Sequence, residues 1–268
     1  MHDINHWLRR KFIPDDPVPD DPAAVAAYHD RYLTAARLDR GLVISLDGIG
    51  GYNWLPRWLR RGLDEGGVKD AIVIYKWSTG PVGLWLTDLF LARRNRTKAA
   101  RLARKIAAYR TRMPGRPVTL IGHSGGGGIA AWVLEALPPG VQVDRAFLLA
   151  PALSTRYNLA PALRGVRERL YTAYSWIDWG LMGLGTLFLG TIDRRHSPSA
   201  GLVGFHLPRD LTEADRAEYA KVRQIGWTPA MIRHGNLGDH SGCTNIPFSR
   251  RVLAPIILGL SDPGRPLV

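Results

Sequence analysis

A serine in a glycine-rich turn is the most reactive arrangement that this sequence offers. The residues Gly122-His123-Ser124-Gly125-Gly126 fit the pattern G-x-S-x-G. An apolar run at 118–121 precedes them, and residues 129–137 follow with the composition and spacing of a helix. A strand, a tight turn and a helix in this order expose the serine hydroxyl on the tip of the turn. We therefore predict that Ser124 is a catalytic nucleophile, with a glycine-rich loop of no chemical role as the alternative.

The nucleophile needs a base, and His240 is the preferred histidine. A serine hydroxyl requires a neutral imidazole to accept its proton, and in a parallel sheet such groups come from loops at the carboxyl ends of strands. His240 lies in a loop that follows the last predicted strand. His234 is assigned to the end of that strand, and His123 is expected to point away from Ser124. The other histidines precede the sheet or lie in a connection with weak structural signals, namely His2, His6, His29, His196 and His206.

The imidazole in turn needs a carboxylate on its second nitrogen, and Asp178 is the preferred acid. It follows a predicted strand and stands between Trp176 and Trp179, which are expected to shield it from water and strengthen its hydrogen bond. Asp193 is the alternative, although the two arginines that follow it are typical of a surface ion pair. A helix cap is the non-catalytic explanation for Asp178.

The oxyanion that forms during acyl transfer requires two N–H donors. The first is predicted to be the N–H of Gly125, the residue after the nucleophile. The second is predicted in the glycine-rich turn at 47–51, where the N–H of Ile49 is preferred over those of Gly48 and Gly50. A plain turn between a strand and a helix is the alternative for this segment.

These groups must be positioned by a sheet, and the sequence predicts one. Short apolar runs alternate with helical segments, which is typical of a parallel sheet covered on both faces. The predicted strands are 42–46, 71–75, 118–121, 145–150, 169–175 and 229–234, and the predicted helices are 23–38, 54–63, 87–112, 129–137 and 248–260. We predict one α/β domain over 41–268, preceded by an approach segment, 1–40, with one helix.

Composition limits the possible functions further. The 268 residues carry a formal net charge of +13 and one cysteine, Cys243, so that an intrachain disulfide is excluded. The basic residues of 93–112 fit the solvent face of a helix whose apolar face is Leu102, Ile106 and Tyr109. This pattern does not favour nucleic-acid binding and leaves peripheral contact with anionic lipid open.

With neither a signal-peptide pattern nor an apolar run long enough to span a bilayer, a cytoplasmic location is expected. No metal or cofactor motif is present, and none is expected.

At these residues the chain resembles the α/β-hydrolase superfamily, over about 41–260. The resemblance lies in the G-x-S-x-G motif, the turn at 47–51 and the order Ser124, Asp178, His240. The turn is similar to the His-Gly-x-Gly segment of lipases and esterases, with Asp47 in place of the histidine. The short interval between Ser124 and Asp178 argues against a large lid. The resemblance implies an α/β-hydrolase fold and an acyl-enzyme mechanism on a small-molecule ester or acyl substrate.

Other functions on the same scaffold stay open. A peptidase or a thioesterase would use the same triad, and the fold also hosts non-catalytic binding proteins. Loop tryptophans suggest an apolar acyl or alcohol pocket, with packing beneath the loops as the alternative, and they are Trp77, Trp85, Trp176 and Trp179. The segment 180–192 is interpreted as a buried helix. An esterase or lipase-like serine hydrolase is the preferred function.

Overall fold

The protein is described by a computed structural model that covers residues 31–51, 54–78, 88, 91–180 and 190–267. Within these ranges the strands form a seven-stranded sheet of order β2-β1-β3-β4-β5-β6-β7. Six strands pair in parallel, and β7 is antiparallel to β6. The strands are β1 Leu42–Leu46, β2 Ala71–Tyr75, β3 Val118–His123, β4 Val143–Leu149, β5 Val166–Tyr174, β6 Val222–Gly226 and β7 Arg265–Pro266.

Helices connect the parallel strands and cover the sheet. They are α1 Ala35–Leu38, α2 Trp54–Glu65, α3 Ala92–Arg112, α4 Gly125–Glu135, α5 Ala160–Arg164, α6 Ala200–Val203 and α7 Glu213–Glu218. A C-terminal helical stretch follows, with α8 Ile246–Phe248, a π-helical turn Ser249–Leu253 and α9 Ala254–Ile257. Chains of this type need a crossover between each pair of parallel strands, which is why helix and strand alternate.

The core has two layers because strand side chains alternate between the faces of the sheet. On one face, Ile44 and Leu120 pack with helices α3, α4 and α5. On the other face, Val43 and Ile121 pack with α2 and the C-terminal helical stretch. The predicted α/β class, with helices on both faces of a mostly parallel sheet, is confirmed.

The apolar face predicted for the basic helix is also confirmed. Leu102, Ile106 and Tyr109 of α3 are buried in the core. The Tyr109 hydroxyl donates a hydrogen bond of 2.7 Å to the Leu38 carbonyl oxygen. Leu33 is buried in the same layer, so the chain already packs on the sheet before residue 41. The predicted boundary at residue 40 stays a prediction, and residues 1–30 lie outside the described ranges.

Two sequence predictions of elements need correction. The stretch Pro229–His234 forms a 3₁₀ helix, and the last parallel strand is β6, which the sequence analysis missed. The helix predicted over 23–38 is restricted, in its described part, to Ala35–Leu38. Part of the predicted helix 180–192 lies outside the described residues. The strand was missed because the Val-Arg-Gln-Ile-Gly segment has few apolar residues and pairs with β7 at its outer edge.

Candidate active site

Ser124 occupies a strained turn between β3 and α4. Its backbone has φ 56° and ψ −124°, a combination that costs free energy for a residue with a side chain. Two glycines make the turn possible, because a Cβ on Gly122 would lie 2.2 Å from the Gly126 carbonyl oxygen, and one on Gly126 2.2 Å from that of Asp47. The predicted strand-turn-helix context of Ser124 is therefore present.

His240 and Asp178 are joined directly. The Nδ1 atom of His240 lies 2.6 Å from Oδ2 of Asp178, whose side chain is 5% exposed. Because a carboxylate accepts, His240 donates through Nδ1, and in the neutral ring Nε2 then carries the lone pair that can take a proton. This is the protonation state that a general base requires.

The loop that carries His240 is held against the loop that carries Asp178. The Trp227 indole donates a hydrogen bond of 3.0 Å to the Asn236 carbonyl oxygen, and the Asn236 side chain accepts one of 2.9 Å from the Gly238 N–H. Gly238 has φ +88°, and a Cβ there would lie 3.0 Å from Ile177. The close approach at Gly238 therefore fixes the distance between the two loops.

His123 is a site residue that sequence reasoning missed. It was expected to point away, yet its Nε2 donates a hydrogen bond of 2.8 Å to the His240 carbonyl oxygen, and the two ring centroids are 4.7 Å apart. Burial, reinforced by the nearby His240, lowers the pKa of His123 to about 3. A neutral ring can donate through only one nitrogen. The alternation along β3 contained the signal, because His123 falls on the face of Ile121.

Ser124 joins this group through its neighbours. A Cβ on Gly48 would lie 3.2 Å from Ser124 Cβ and 3.7 Å from His123 Nδ1, so the serine side chain faces the turn after β1. No hydrogen bond links the Ser124 hydroxyl to the His240 ring in the described structure. Hydrogen bonds of catalytic groups often tighten only when substrate binds. The structure thus pairs His240 with Asp178 and places Ser124 beside His123.

The turn after β1 leaves one donor unused. The Gly48 N–H donates to Asp47 Oδ1 at 2.6 Å, and the Gly50 N–H donates to Asp88 Oδ2 at 3.1 Å. In the described part of the chain, the Ile49 N–H makes no hydrogen bond. A Cβ on Gly125 would lie 2.7 Å from Ile49 Cγ1, so Ile49 is next to the first residue of α4. The N–H of Gly125 has no partner within its helix, since the first turn of a helix lacks internal acceptors.

Asp47 is a buried carboxyl directly beside this turn. Its side chain accepts the Gly48 N–H, while Oδ2 is buried with no partner among the described residues. Burial raises the pKa of Asp47 to about 7, although the Gly48 hydrogen bond acts in the opposite direction. Its carbonyl oxygen accepts a hydrogen bond of 2.6 Å from the Trp77 indole. Trp77 is therefore a packing residue of the core and not part of an exposed pocket.

The structure also corrects two expectations about neighbouring side chains. Asp193 does not form the predicted ion pair, because its two oxygens accept the Ser154 N–H at 3.0 Å and the Ser154 hydroxyl at 2.6 Å. Trp176 and Trp179 do not shield Asp178, since they are 63% and 61% exposed. Asp178 is instead enclosed by residues of β5 and the His240 loop, including Tyr174, Ser175, Trp227, Asn236 and Cys243. Trp85 lies outside the described residues.

Cys243 has a packing role. It is 6% exposed and belongs to the core layer on the α2 side of the sheet. Burial raises the pKa of the thiol well above its usual value, and the nearby Asp178 carboxylate adds to the effect. A thiol that keeps its proton is a poor nucleophile. Among the described residues, His, Cys, Asp and Glu form no cluster that could hold a metal ion, and no helix has the length and apolarity to cross a membrane.

Comparisons with known proteins give structural neighbours only. Neither the protein-family models nor the curated proteins include a match to this sequence. One similar structure is a lipase-esterase related protein from Clostridium acetobutylicum ATCC 824, with 10% identity, a TM-score of 0.44, and coverage of 83% of this chain and 95% of that one. Another, from Lactobacillus plantarum WCFS1, is called a cell surface hydrolase, with 16% identity, a TM-score of 0.43, and coverage of 84% and 94%.

A third structure is similar over a smaller part of the chain. It is phospholipase PlaB from Legionella pneumophila in complex with thio-NAD, with 17% identity, a TM-score of 0.33, and coverage of 53% of this chain and 39% of that one. The fold itself follows from the strand order, the parallel pairing and the turn at Ser124 between β3 and α4. The α/β-hydrolase fold predicted from the sequence is confirmed.

Proposed function

We propose that this protein is a serine hydrolase that cleaves carboxylic esters, with Ser124 as nucleophile, His240 as general base and Asp178 as its partner acid. The observation that carries the proposal is the 2.6 Å contact between His240 Nδ1 and Asp178, at the sheet edge where Ser124 stands on its strained turn. A carboxylate on Nδ1 fixes the imidazole tautomer and stabilises the imidazolium that forms during catalysis.

The reaction proceeds through two acyl transfers. In the first, the Ser124 oxygen attacks the ester carbonyl carbon while His240 Nε2 takes the hydroxyl proton. The C–O bond to the leaving alcohol then breaks, and His240 returns the proton to that alcohol. In the second, a water molecule gives a proton to His240 and attacks the carbonyl carbon of the acyl-enzyme. The bond between that carbon and the Ser124 oxygen then breaks, and His240 returns the proton to Ser124, which releases a carboxylic acid and the free serine.

The N–H groups of Ile49 and Gly125 are proposed to hold the negative oxygen of both tetrahedral intermediates. Their adjacency and the absence of competing acceptors support this assignment, whereas Gly48 and Gly50 already donate to Asp47 and Asp88. Each donor of this kind contributes about 10²- to 10³-fold to kcat when it is aimed at the developing charge. Gly48 serves the site by its lack of a side chain, which lets the turn approach Ser124.

Exposed aromatic side chains around the site support an apolar ester as substrate. Trp176 and Trp179 flank the catalytic acid, and Trp54 stacks on Trp58 at 6.1 Å near the beginning of α2, shortly after the turn that carries Ile49. The loop of His240 adds Leu237, which is 61% exposed. Large apolar side chains exposed together indicate a surface for an apolar ligand. An ester with a hydrophobic acyl or alcohol group would therefore be preferred.

Covalent labelling tests the proposal without knowledge of the natural substrate. A fluorophosphonate probe should modify Ser124, and peptide mapping should find the adduct on that residue. Ser124→Ala should abolish labelling and lower kcat for short p-nitrophenyl esters by about 10⁴-fold or more, with the circular dichroism spectrum unchanged. A wild-type protein that is folded yet neither labelled nor active would leave a non-catalytic binding protein as the function. Thioester and amide analogues assayed in parallel separate esterase from thioesterase and peptidase activity.

A pair of substitutions tests the acid. Asp178→Asn should lower kcat by about 10⁴-fold, because an amide favours the wrong tautomer of His240. Asp193→Asn is the matched control, since that residue binds the Ser154 segment and makes no contact with His240. Its kcat should stay close to that of the wild type. Equal losses in the two variants would contradict the assignment of Asp178.

A further inference from the structure

A second cavity, of about 480 Å³, lies on the α4 side of the sheet. It opens between the beginning of α3, the middle of α4, the segment after β4 and the turn at 190–195. Trp132 lines it from α4, eight residues beyond Ser124, which corresponds to about 12 Å along a helix. The volume falls in the range of small-molecule sites, about 300–1,000 Å³. The cavity is therefore distinct from the site around His240 and is large enough for an organic ligand.

Positive charge dominates the walls of this cavity. Among the described residues, four arginines line it, and they are Arg96, Arg156, Arg194 and Arg195. The acid among the lining residues is Asp193, and both of its oxygens already accept from Ser154. Like charges that converge on a concave surface raise the local positive potential and concentrate anions there.

Most of the guanidinium donors in the cavity are available to a ligand. Arg156 uses one N–H to bind the Leu207 carbonyl oxygen at 3.0 Å. Arg96 lies 4.5 Å above the Trp132 ring and 3.3 Å from Glu135. Within the described ranges, the side chains of Arg194 and Arg195 form neither a hydrogen bond nor an ion pair, and the hydrogen bonds of these two residues involve backbone atoms only. A guanidinium has five N–H donors in a fork that matches phosphate and carboxylate oxygens.

The backbone at Arg194 is an independent observation. Three described residues other than glycine have positive φ, and they are Ser124 at 56°, Ala150 at 45° and Arg194 at 63°. The first two belong to the edge of the sheet that carries the candidate active site. Strained backbone of this kind concentrates at functional sites, where the surrounding structure holds it. At Arg194 the turn is held by hydrogen bonds between Thr191 and Arg195.

The rest of the lining is partly polar and partly apolar. Ser154, Tyr157 and Asn158 contribute polar groups, whereas Ala92, Ile192 and Trp132 contribute apolar surfaces. A bare inorganic ion would leave these surfaces in contact with water, whereas a ligand with an apolar body would cover them. Several guanidinium groups around one cavity also match the two charges and multiple acceptor oxygens of a phosphate monoester better than a single carboxylate.

We propose that this cavity binds an organic phosphate, with Arg156, Arg194 and Arg195 around the phosphate group and the organic part against Ile192 and Trp132. The phosphate can belong to a free metabolite or to a lipid headgroup. The proposal is independent of ester hydrolysis, because Ser124 and His240 take no part in it.

Phenyl phosphate is the probe for a free ligand. Isothermal titration calorimetry should detect one binding site, with an affinity at least about 10-fold higher for phenyl phosphate than for inorganic phosphate. Ser124→Ala should bind the probe as the wild type does, so loss of the catalytic serine and loss of this site give different results. Sedimentation with vesicles that contain 20% phosphatidic acid in phosphatidylcholine tests the headgroup source. Absence of binding to both phenyl phosphate and these vesicles would overturn the proposal.

A matched pair of double variants tests the location of the site. Arg194→Asn with Arg195→Gln removes two charges from the cavity, and asparagine tolerates the positive φ of residue 194. This variant should weaken binding of the detected probe at least about 10-fold. Arg101→Gln with Arg104→Gln removes the same charge from the exposed face of α3, outside the cavity. Equal weakening in both variants, or none in the first, would show non-specific attraction and refute the site. Arg156→Gln provides a second cavity variant if the first does not fold.

Discussion

His123 and Asp47 are two buried titratable residues at the carboxyl ends of neighbouring strands. They lie one residue beyond the register pair of Leu46 and Gly122, on the same face of the sheet. Burial disfavours the charged form of each residue. It therefore raises the pKa of a carboxyl group and lowers the pKa of an imidazole. The pKa of Asp47 is raised to about 7, and that of His123 is lowered to about 3. Both residues are therefore neutral at mildly acidic pH, beside Ser124.

These shifts predict opposing effects of pH on stability. The Asp47 carboxyl has a higher pKa in the folded state than in the unfolded state. It therefore contributes stability that is fully present below the pKa of the unfolded state and is lost as the pH rises towards 7, the pKa of the folded state. A lowered histidine pKa has the reverse effect, since unfolding takes up a proton between about pH 3 and the ordinary value of 6.5. Between about pH 4 and 6.5 the contributions of Asp47 and His123 should largely cancel.

Asp47→Asn removes one side of this balance and still accepts the Gly48 N–H. The free energy of unfolding of the variant, relative to the wild type, should increase with pH by up to about 1.4 kcal/mol per unit between pH 4 and 7. The variant should also become sensitive to acid below pH 6.5, because the His123 contribution is then unopposed. Urea denaturation from pH 4 to 8 measures both effects. Asp210→Asn, at an exposed position, is the control, and identical pH dependence in the two variants would contradict the burial argument.

At the scale of elements, the turn between β3 and α4 depends on missing side chains. The Gly122 and Gly126 positions are in contact with backbone atoms, which cannot rotate away as a side chain can. Glycine carries only hydrogen atoms on Cα. Its presence at these positions lets strand β3, the turn after β1 and helix α4 approach each other more closely than a side chain would allow. This packing aligns the first N–H groups of α4 with the loop that carries Ile49.

Gly122→Ala should destabilise the fold by more than about 3 kcal/mol, because the new methyl group would meet the Gly126 carbonyl oxygen at 2.2 Å. Gly180→Ala is the comparison, since a Cβ at that position meets nothing within 4 Å. Its effect should stay within about 0.5 kcal/mol. Thermal and urea denaturation of the two variants provide the test. If the Gly122→Ala protein were as stable as the wild type, the turn would be able to move and make room for the methyl group, and the close packing would not be required.

At the scale of the whole molecule, much of the arginine excess is used to connect elements. Asp144 of β4 is the clearest case, with 0% exposure. It accepts from Arg110 of α3 and from the Val118 N–H, each at 2.6 Å, and it pairs with Arg167 of β5. One carboxylate thus connects three strands and a helix. The charge of +13 is accordingly a structural feature in part. Of the arginines that line the second cavity, Arg96 pairs with Glu135, whereas Arg156, Arg194 and Arg195 form no ion pair within the described residues.

Asp144→Asn should lower the free energy of unfolding by about 3–5 kcal/mol, because it leaves Arg110 partly buried without its counter-charge. Glu65→Gln is the exposed comparison, since the side chains of its partners Arg61 and Arg250 are 62% and 41% exposed. That loss should stay below about 1 kcal/mol. Chemical denaturation at moderate salt measures both values. Similar small losses would mean that water reaches Asp144.

The sequence by itself determined the strands β1 to β5 and the turn around Ser124. Each has a local cause, namely apolar residues in short runs and glycines at the positions where backbones meet. It also singled out Asp178 and His240, which the structure joins by a hydrogen bond, because loops after parallel strands converge at one edge.

Only the tertiary structure decided the features that depend on distant neighbours. Strand β6 exists because β5 and β7 pair with it, since its own residues lack a clear strand pattern. The alternation along β3 places the His123 side chain on one face of the sheet. The loop that carries His240, more than 100 residues further along the chain, passes close to that side chain, and the two residues are therefore in contact. Asp193 is held by Ser154, 39 residues away in the sequence, and lines the second cavity together with Arg194 and Arg195. Such contacts join residues far apart in sequence, so local composition carries no record of them.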